Sequence, residues 1–427
     1  MYKNILIGSG LSSLGFLENL NKDITFDIYD KNSYIGGHAY SHKIEDYYFD
    51  EGAHISHTKN DQFLTYINLE QNKKNYNLFK SNVVNFYQGK KIGYPIQLNL
   101  KDLTFKEKVL YLIDHFKKYQ KKTEIKNYYG WLIETYGKFL ADKYYSMYTK
   151  KYWRTDPKYM DIDWTKGRLV ERKILDTLKS LFFKIKKTSL VYEEFRYPKE
   201  RGFFNFFSKK FEKFEFNLNY EVKKIDIKKK EILFNNNEKR NYKKLVSSLP
   251  INEYKNLIIN VPEDIQNILQ SLKYTKLYTY NYKIKKKINH DFHWCYFYDL
   301  EIPISRMSIL NNFDKKNEDN FFLVQAEVFV RNDENYNIND IDNKTNEHIL
   351  NFFKLNGEED FFFKKKIEIE KAYPIPLVGD KPKINYVRKW LELNDIYQIG
   401  LYGNWEFMWS DQTFLNGKDM AERINIL

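Results

Sequence analysis

The chain holds a single cysteine, Cys295, so it can form no internal disulfide and no multi-cysteine zinc site, a pattern that fits a reducing compartment. Only 10 of its 70 cationic side chains are arginine. The net charge of +13 is carried by lysines spread among acids along the whole length, which reads as a solvated surface and not as a nucleic-acid groove. No nucleic-acid partner is expected, although the positive field favours nucleotides, phosphates or acidic membrane surfaces. No apolar run approaches the roughly 20 residues of a spanning helix, and the amino terminus enters a strand pattern at once, without signal-peptide anatomy. A cytoplasmic protein is expected. What the chain has in quantity is length and aromatic rings. Its 427 residues suggest two to three domains, and its 36 Tyr and 33 Phe serve first as core-fillers, so position must decide which of them do more.

The first thirty residues read as strand, glycine turn, helix, strand. Tyr2 to Ile7 is short and apolar, Gly8-Ser9-Gly10 follows, Leu11 to Leu20 has helical periodicity, and Thr25 to Tyr29 is a second strand ending at Asp30. From Phe63 to Val191 the pattern is largely helical and basic. Strand character returns at Phe214 to Leu218, Lys223 to Ile227 and Lys244 to Leu249, and a β-rich stretch runs from Tyr274 to about Val330. The tail repeats the opening style, with a strand at Ile396 to Leu401, a turn at Tyr402-Gly403 and a helix from about Asp411 to Ile424. The expected fold class is therefore α/β with discontinuous domains: a Rossmann-like nucleotide-binding domain from 1–75, 195–260 and 375–427, a mainly helical insertion at 76–194, and a β-rich substrate domain at 261–374. The stretch Arg172 to Lys187 mixes Leu, Phe and Ile with lysines, a pattern shared by a helix packed on the body and one lying on an anionic membrane.

After a strand, Gly8-Ser9-Gly10 lets the backbone turn tightly and approach a pyrophosphate, while the helix opening at Leu11 and Ser12 offers amide hydrogens and the positive end of its dipole. Asp30 stands 20 residues beyond Gly10, where a carboxylate with Lys31 beside it meets the hydroxyls of an adenosine ribose. An intact 2′-hydroxyl suits FAD or NAD and disfavours NADP. The third glycine of the usual fingerprint is Ser13 here, small enough for close helix–strand packing.

Further along stand Ile35-Gly36-Gly37-His38-Ala39-Tyr40 and Asp50-Glu51-Gly52-Ala53-His54-Ile55-Ser56-His57-Thr58, then Tyr148-Thr149-Lys150-Lys151-Tyr152-Trp153. Together they resemble motifs of the FAD enzymes that include amine oxidases, protoporphyrinogen oxidases and, most of all, UDP-galactopyranose mutases. The resemblance implies a FAD-binding domain of the glutathione-reductase type. It implies FAD contacts at Gly8, Gly10, Leu11, Ser12, Asp30, Lys31, Gly37, His38, Ala39, His54, Val222 and Gly403, and at Asp411-Gln412-Thr413, where a helix start can face the flavin N1–C2=O edge. Tyr148, Trp153, Arg168, Arg306 and Tyr373 become the implied substrate contacts, and His54, His57, Arg168 and Arg306 the implied catalytic groups. No metal is implied.

In the mutase pattern, N5 of reduced flavin bonds the anomeric carbon of a nucleotide sugar, and the sugar recloses between pyranose and furanose without net redox change. That implies a nucleotide-sugar substrate for surface polysaccharide synthesis and an electron donor that reduces the flavin. A homodimer and a peripheral membrane contact stay open. This sequence departs from the mutase pattern at informative places. Thr275 stands where an arginine meets the pyrophosphate, Leu401 where the tail motif has arginine, and Phe407 where it has a pyrophosphate-binding tyrosine. Those losses keep a second reading alive, an oxidoreductase of the amine-oxidase or protoporphyrinogen-oxidase kind.

Overall fold

The computed structural model describes residues 2–67, 75–118, 125–169, 174–183, 185, 193–286, 290–313 and 320–426. They form two compact units, one from Met1–Tyr76, Glu200–Lys273 and Gly379–Leu427, the other from Asn77–Lys199 and Tyr274–Val378.

In the first unit the strand Lys3–Ile7 runs parallel to Asp27–Tyr29 on one side and to Lys239–Ser247 on the other. Ile396–Gln398 adds a fourth parallel strand beyond Lys239–Ser247. Parallel strands are covered on both faces, which suits the unbroken apolar run Ile5-Leu6-Ile7, all three buried. The first half of Lys239–Ser247 folds back antiparallel onto Glu231–Phe234, which pairs in turn with Val222–Asp226. The helix Leu11–Glu18 connects the first two strands and lies against the last helix, Ser410–Ile426. Two glycines permit that crossing: a Cβ on Gly15 would stand 2.0 Å from the Phe414 carbonyl oxygen, and one on Gly417 1.8 Å from that of Ser12. Leu6, Phe16, Ile28, Val246, Ile399 and Ile424 close the core beneath them.

The second unit is built on a seven-stranded sheet in the order Phe361–Pro374, Tyr274–Ile284, Phe322–Arg331, Arg306–Ile309, Trp294–Phe297, Val83–Tyr87, Lys90–Gly93. Alternation along the strands divides its faces. Tyr278, Tyr280, Tyr282, Val324, Ala326 and Val328 share a core cluster with Ile349 and Phe353 of the helix Ile338–Phe353. The intervening positions look the other way, where Leu277, Phe329 and Ile369 pack with Tyr152 and Tyr373.

The structure differs from the sequence reading in three places. The helices Phe105–Lys118, Tyr128–Tyr136 and Ser146–Tyr152 belong to the same unit as the large sheet instead of forming a separate helical domain, and the helix Glu263–Ser271 belongs to the first unit. Two strands of that sheet come from the segment read as helical. Val83-Val84-Asn85-Phe86-Tyr87 is rich in β-branched and aromatic residues, and Gln88-Gly89, both at positive φ (+49° and +71°), make the two-residue turn into Lys90–Gly93. Phe214 to Leu218, read as a strand, makes one isolated bridge, Asn217 to Tyr29. Within Arg172 to Lys187, residues 172, 173, 184, 186 and 187 lie outside the described residues; Ile174–Lys179 is helical. Among the described residues no helix is long and apolar enough to cross a membrane.

Candidate functional site

The glycine turn after the first strand is a built cradle. Gly8 sits at φ +106°, a conformation side chains resist, and its N–H donates to the Tyr29 carbonyl (2.8 Å). The second glycine pair closes on the first: Gly36 N–H donates to the Ser9 carbonyl at 2.9 Å, and a Cβ on Gly37, at φ +54°, would stand 3.1 Å from the Gly10 Cα. The helix Leu11–Glu18 makes its first backbone bond from Leu14 to the Gly10 carbonyl, so Leu11, Ser12 and Ser13 have no acceptor within the helix. Its cap, Gly10, supplies no side chain, and its first turn holds no acid that would repel an anion. Asp30 is buried, and one carboxylate oxygen accepts both the N–H and the hydroxyl of Ser9 at 2.7 Å. Asn32 N–H reaches the other oxygen at 2.8 Å. The acid at the end of the second strand thus braces the turn and still has acceptor capacity for a ribose hydroxyl. Val222 is buried in its edge strand.

Beyond the second glycine pair stands a buried carboxylate. Glu51 takes His38 Nδ1 at 2.7 Å and His42 Nε2 at 3.0 Å. Burial pushes its pKa up, and the two imidazoles more than offset this, holding it at about 2. His38 and Ala39 are thereby fixed immediately after Gly37. His54 is half-buried with Nδ1 at 3.1 Å from the Gly52 carbonyl, and desolvation lowers its pKa, so it is neutral at pH 7. His57 meets the Trp409 ring edge to face, with centroids 4.4 Å apart. Thr58 donates its hydroxyl to Asp411 at 2.6 Å. Asp411 opens the helix Ser410–Ile426 and also accepts from Gln412 N–H at 2.9 Å, while the Gln412 side chain accepts from Trp409 N–H. The histidine segment and the helix start named in the sequence therefore sit together. Gly403, in the short helix Gly400–Asn404, is buried against Ser247 and Gln398.

In the second unit the substrate residues named from the sequence gather on one face of the sheet. Register sets Tyr296 opposite Arg306 and Arg306 opposite Glu327, with Thr279 next in the row. The Arg306 guanidinium forks onto the fully buried Glu327 carboxylate with two bonds of 2.7 Å. Burial opposes the arginine's charge, and Glu327 more than offsets it, raising its proton affinity well above normal. Tyr148 and Tyr152 stack over one another at 5.7 Å, Tyr148 meets Tyr296 at 5.2 Å, and Tyr152 stacks on Tyr373 at 5.7 Å. Burial drives the Tyr148 and Tyr152 hydroxyls well up in pKa, with Arg306 pulling the other way, so both stay protonated. Trp153 joins Tyr152 and Trp164, and Arg168 donates to the Trp164 carbonyl at 3.1 Å. Thr275 is fully buried in its strand, its hydroxyl 3.4 Å from the Tyr373 carbonyl.

Several of these residues went unread in the sequence. Glu327 shares its strand face with Gln325 and Phe329, a parity visible in the alternation of Phe322–Arg331, but its partner depends on a strand pairing that no local pattern announces. Glu51 and His42 had a weaker signal, a charged residue between Asp50 and Gly52 and a second histidine four residues after His38. Trp409 had none.

Residues 6–68 match the family of NAD(P)-binding Rossmann-like domains. The glycine cradle and this fold make the chain an α/β protein with a dinucleotide-binding domain. Its architecture is similar to that of reduced UDP-galactopyranose mutase, with a TM-score of 0.89 at 20% identity over 99% of this chain and 94% of that one. A protein from Exiguobacterium sp. 255-15 assigned as a protoporphyrinogen oxidase is similar over 100% of this chain and 99% of its own (TM-score 0.76, 12% identity). A putrescine oxidase is similar over the same shares, with a TM-score of 0.63 at 11% identity. No curated protein sequence matches the chain.

Proposed function

We propose that the protein is an FAD-dependent nucleotide-sugar mutase of the UDP-galactopyranose mutase kind, interconverting pyranose and furanose forms for surface polysaccharide synthesis. The observation that carries this reading is the gathering of Tyr148, Tyr152, Trp153 and Tyr373 around Arg306 on one sheet face, in a chain that has the mutase fold from end to end.

The cradle fits the cofactor. A Cβ at Gly37 would crowd the Gly10 backbone, where a pyrophosphate would need access, and Leu11 and Ser12, next in the chain, have amides with no acceptor within their helix. Gly8, Gly10, Leu11 and Ser12 would hold the pyrophosphate, with Asp30 and Lys31 at the ribose and Val222 at the adenine. Gly37, His38, Ala39, His54, Gly403 and the helix start at Asp411, Gln412 and Thr413 would hold the flavin half. When bound and reduced, a flavin supplies a nucleophilic ring nitrogen for the anomeric carbon. The chain's own work is positioning. The aromatic shelf of Tyr148 and Trp153 takes the base, and Arg168 and Arg306 carry positive charge for a diphosphate. His54, neutral at pH 7, and His57 beside Trp409 would hold or pass a proton between sugar hydroxyl and ring.

A second reading, an amine-oxidase-like oxidoreductase, is favoured by a specific observation. The Arg306 fork is already spent on Glu327, and Thr275 offers no charge, so the diphosphate clamp is weaker than the mutase pattern requires. The decisive experiment mixes FAD-reconstituted, dithionite-reduced protein with UDP-galactopyranose or UDP-N-acetylgalactosamine and separates the sugars chromatographically. Furanose product without flavin oxidation is expected. Substrate-driven bleaching of oxidised flavin under anaerobic conditions, with no furanose, would replace the mutase reading with the second.

A further inference from the structure

The large sheet of the second unit ends on an open edge. Its outermost strand, Phe361–Pro374, is 14 residues long and pairs only with Tyr274–Ile284 among the described residues. The pairing is regular from Phe363 to Ile369, with a register shift beyond each end. Lys364, Lys365, Lys366, Glu368 and Glu370 are exposed along it. Alternate backbone N–H and C=O groups of such an edge face away from the sheet, so it is a template for one more strand.

Three consecutive lysines normally guard an edge against strand addition. Here the same strand carries the answer to its own guard, because Lys364-Lys365-Lys366 is followed across Ile367 by Glu368-Ile369-Glu370. Two identical antiparallel strands in one continuous sheet are related by a twofold axis normal to that sheet. The axis passes through one residue position and sets residues equally far on either side of it opposite each other on one face. With the axis at 364, 365, 366, 368 or 370, a lysine or a glutamate meets itself, and with it at Ile369, Glu368 meets Glu370. Within 364–370, only the register centred on Ile367 opposes no like charges. It places Lys366 opposite Glu368, Lys364 opposite Glu370 and Lys365 opposite Ile369, each twice by symmetry.

These side chains have partners in their own chain and are not used up by them. Lys366 gives one of its three donors to Asp342 at 2.6 Å, Lys364 gives one to Glu358, and Glu368 accepts from the Tyr278 hydroxyl at 3.3 Å. Lys276 and Lys371 stand 3.9 and 3.7 Å from Glu368 and Glu370. Such partly exposed pairs are weak, and both the ammonium and the carboxylate groups keep capacity for a facing partner. Ile367 is partly buried against the cluster of Leu277, Phe329 and Ile369, so its meeting with its own copy extends that apolar layer across the junction.

We propose that the Phe361–Pro374 edge joins two copies of this chain, the strands antiparallel about Ile367 and the two sheets continuous. Charge order selects this occupant. The lysines repel a strand without acids at the facing positions, and the chain itself supplies those acids in sequence. The inference does not depend on the flavin reading.

The test uses the full chain reconstituted with FAD, its mass followed by sedimentation velocity across protein concentration and salt. The parent is expected to dimerise reversibly as concentration rises, and less readily as salt rises. Lys364→Glu/Lys366→Glu makes positions 364, 366, 368 and 370 all acidic, and Glu368→Lys/Glu370→Lys makes them all basic, so each variant alone should dimerise about tenfold or more weakly. An equal mixture of the two should recover the dimer, since every opposed pair is again of unlike sign. A folding defect would not be mended by mixing. The register is read by cross-linking: because the lone Cys295 is buried, Ile367→Cys sets an accessible thiol against its own copy and should give a disulfide-linked dimer under mild oxidation. Lys364→Cys, held about 20 Å from its copy, should not. A parent that stays monomeric, its edge left to some other strand, overturns the proposal. So do a dimer that ignores the charge reversals, a mixture that stays monomeric, and a Lys364→Cys chain that cross-links as readily as Ile367→Cys.

Discussion

Lys151 offers a quantitative test of the second unit's interior. Its side chain is nearly fully buried, the ammonium donates to the Asp299 carbonyl at 2.7 Å and lies 5.9 Å over the Phe297 ring. Burial lowers its pKa from 10.5 to about 7, the nearby Asp299 and Glu301 offsetting only part of the effect. As pH falls below about 10.5 the unfolded lysine takes up a proton that the folded one refuses until about 7. Stability contributed by the neutral form is therefore lost across that window and levels off below it. The penalty amounts to about 4 kcal/mol at pH 7 and about 2 kcal/mol at pH 9. Lys151→Met keeps the stem and removes the charge, but leaves the Asp299 carbonyl without its donor, at about 1–3 kcal/mol. The variant should thus be about 2 kcal/mol more stable than the parent at pH 7, with the advantage vanishing near about pH 9 and reversing above it. Urea unfolding at several pH values, followed by tryptophan fluorescence, measures this, since Trp131, Trp153, Trp164 and Trp294 all lie in this unit. A variant less stable at pH 7, or a difference that ignores pH, would refute the reasoning.

Glu51→Gln should cost up to about 3 kcal/mol at pH 7, because the carboxylate's depressed pKa stabilises the fold above its ordinary value of 4.5. That contribution is lost as pH falls toward about 2, so parent and variant should converge in acid unfolding. Gly417→Ala forces a methyl onto the Ser12 carbonyl. It should cost about 1–3 kcal/mol in thermal stability and weaken retention of FAD, measured by absorbance after dialysis. Glu327→Gln strands a buried guanidinium and should cost about 3–5 kcal/mol, whereas replacing both partners, Arg306→Met with Glu327→Leu, should recover most of the loss in the same melt.

The cradle was legible because everything that defines it is local. A strand, two glycines, a helix and an acid 20 residues on are fixed by spacing alone, and the chain folds them as read. The tail helix was legible for the same reason, through Asp411 and the periodicity that follows it. What escaped was whatever depends on which strands meet. Arg306 looked like a cation available to a phosphate, and only the pairing of Arg306–Ile309 with Phe322–Arg331 places Glu327 across from it. The hairpin Val83–Tyr87 to Lys90–Gly93 was absorbed into a helical reading because its neighbours are helical and basic, although Gln88-Gly89 marked the turn. Gly15 and Gly417 were visible as glycines, but their purpose emerges only where two helices nearly touch.

That helix crossing has a bearing on how the protein is made. The helix behind the nucleotide turn rests on a partner translated much later; Asn21 and Asn425, bonded at 2.9 Å, are 404 positions apart. A ribosome delivers the turn long before its support, at roughly 5–20 residues per second. For tens of seconds the nascent cradle stands without its brace, exposing the apolar side of the strands Lys3–Ile7 and Asp27–Tyr29. Any dinucleotide the cradle takes must accordingly wait for the helix Ser410–Ile426, and removing that helix should abolish its capture as surely as damage to the opening glycines.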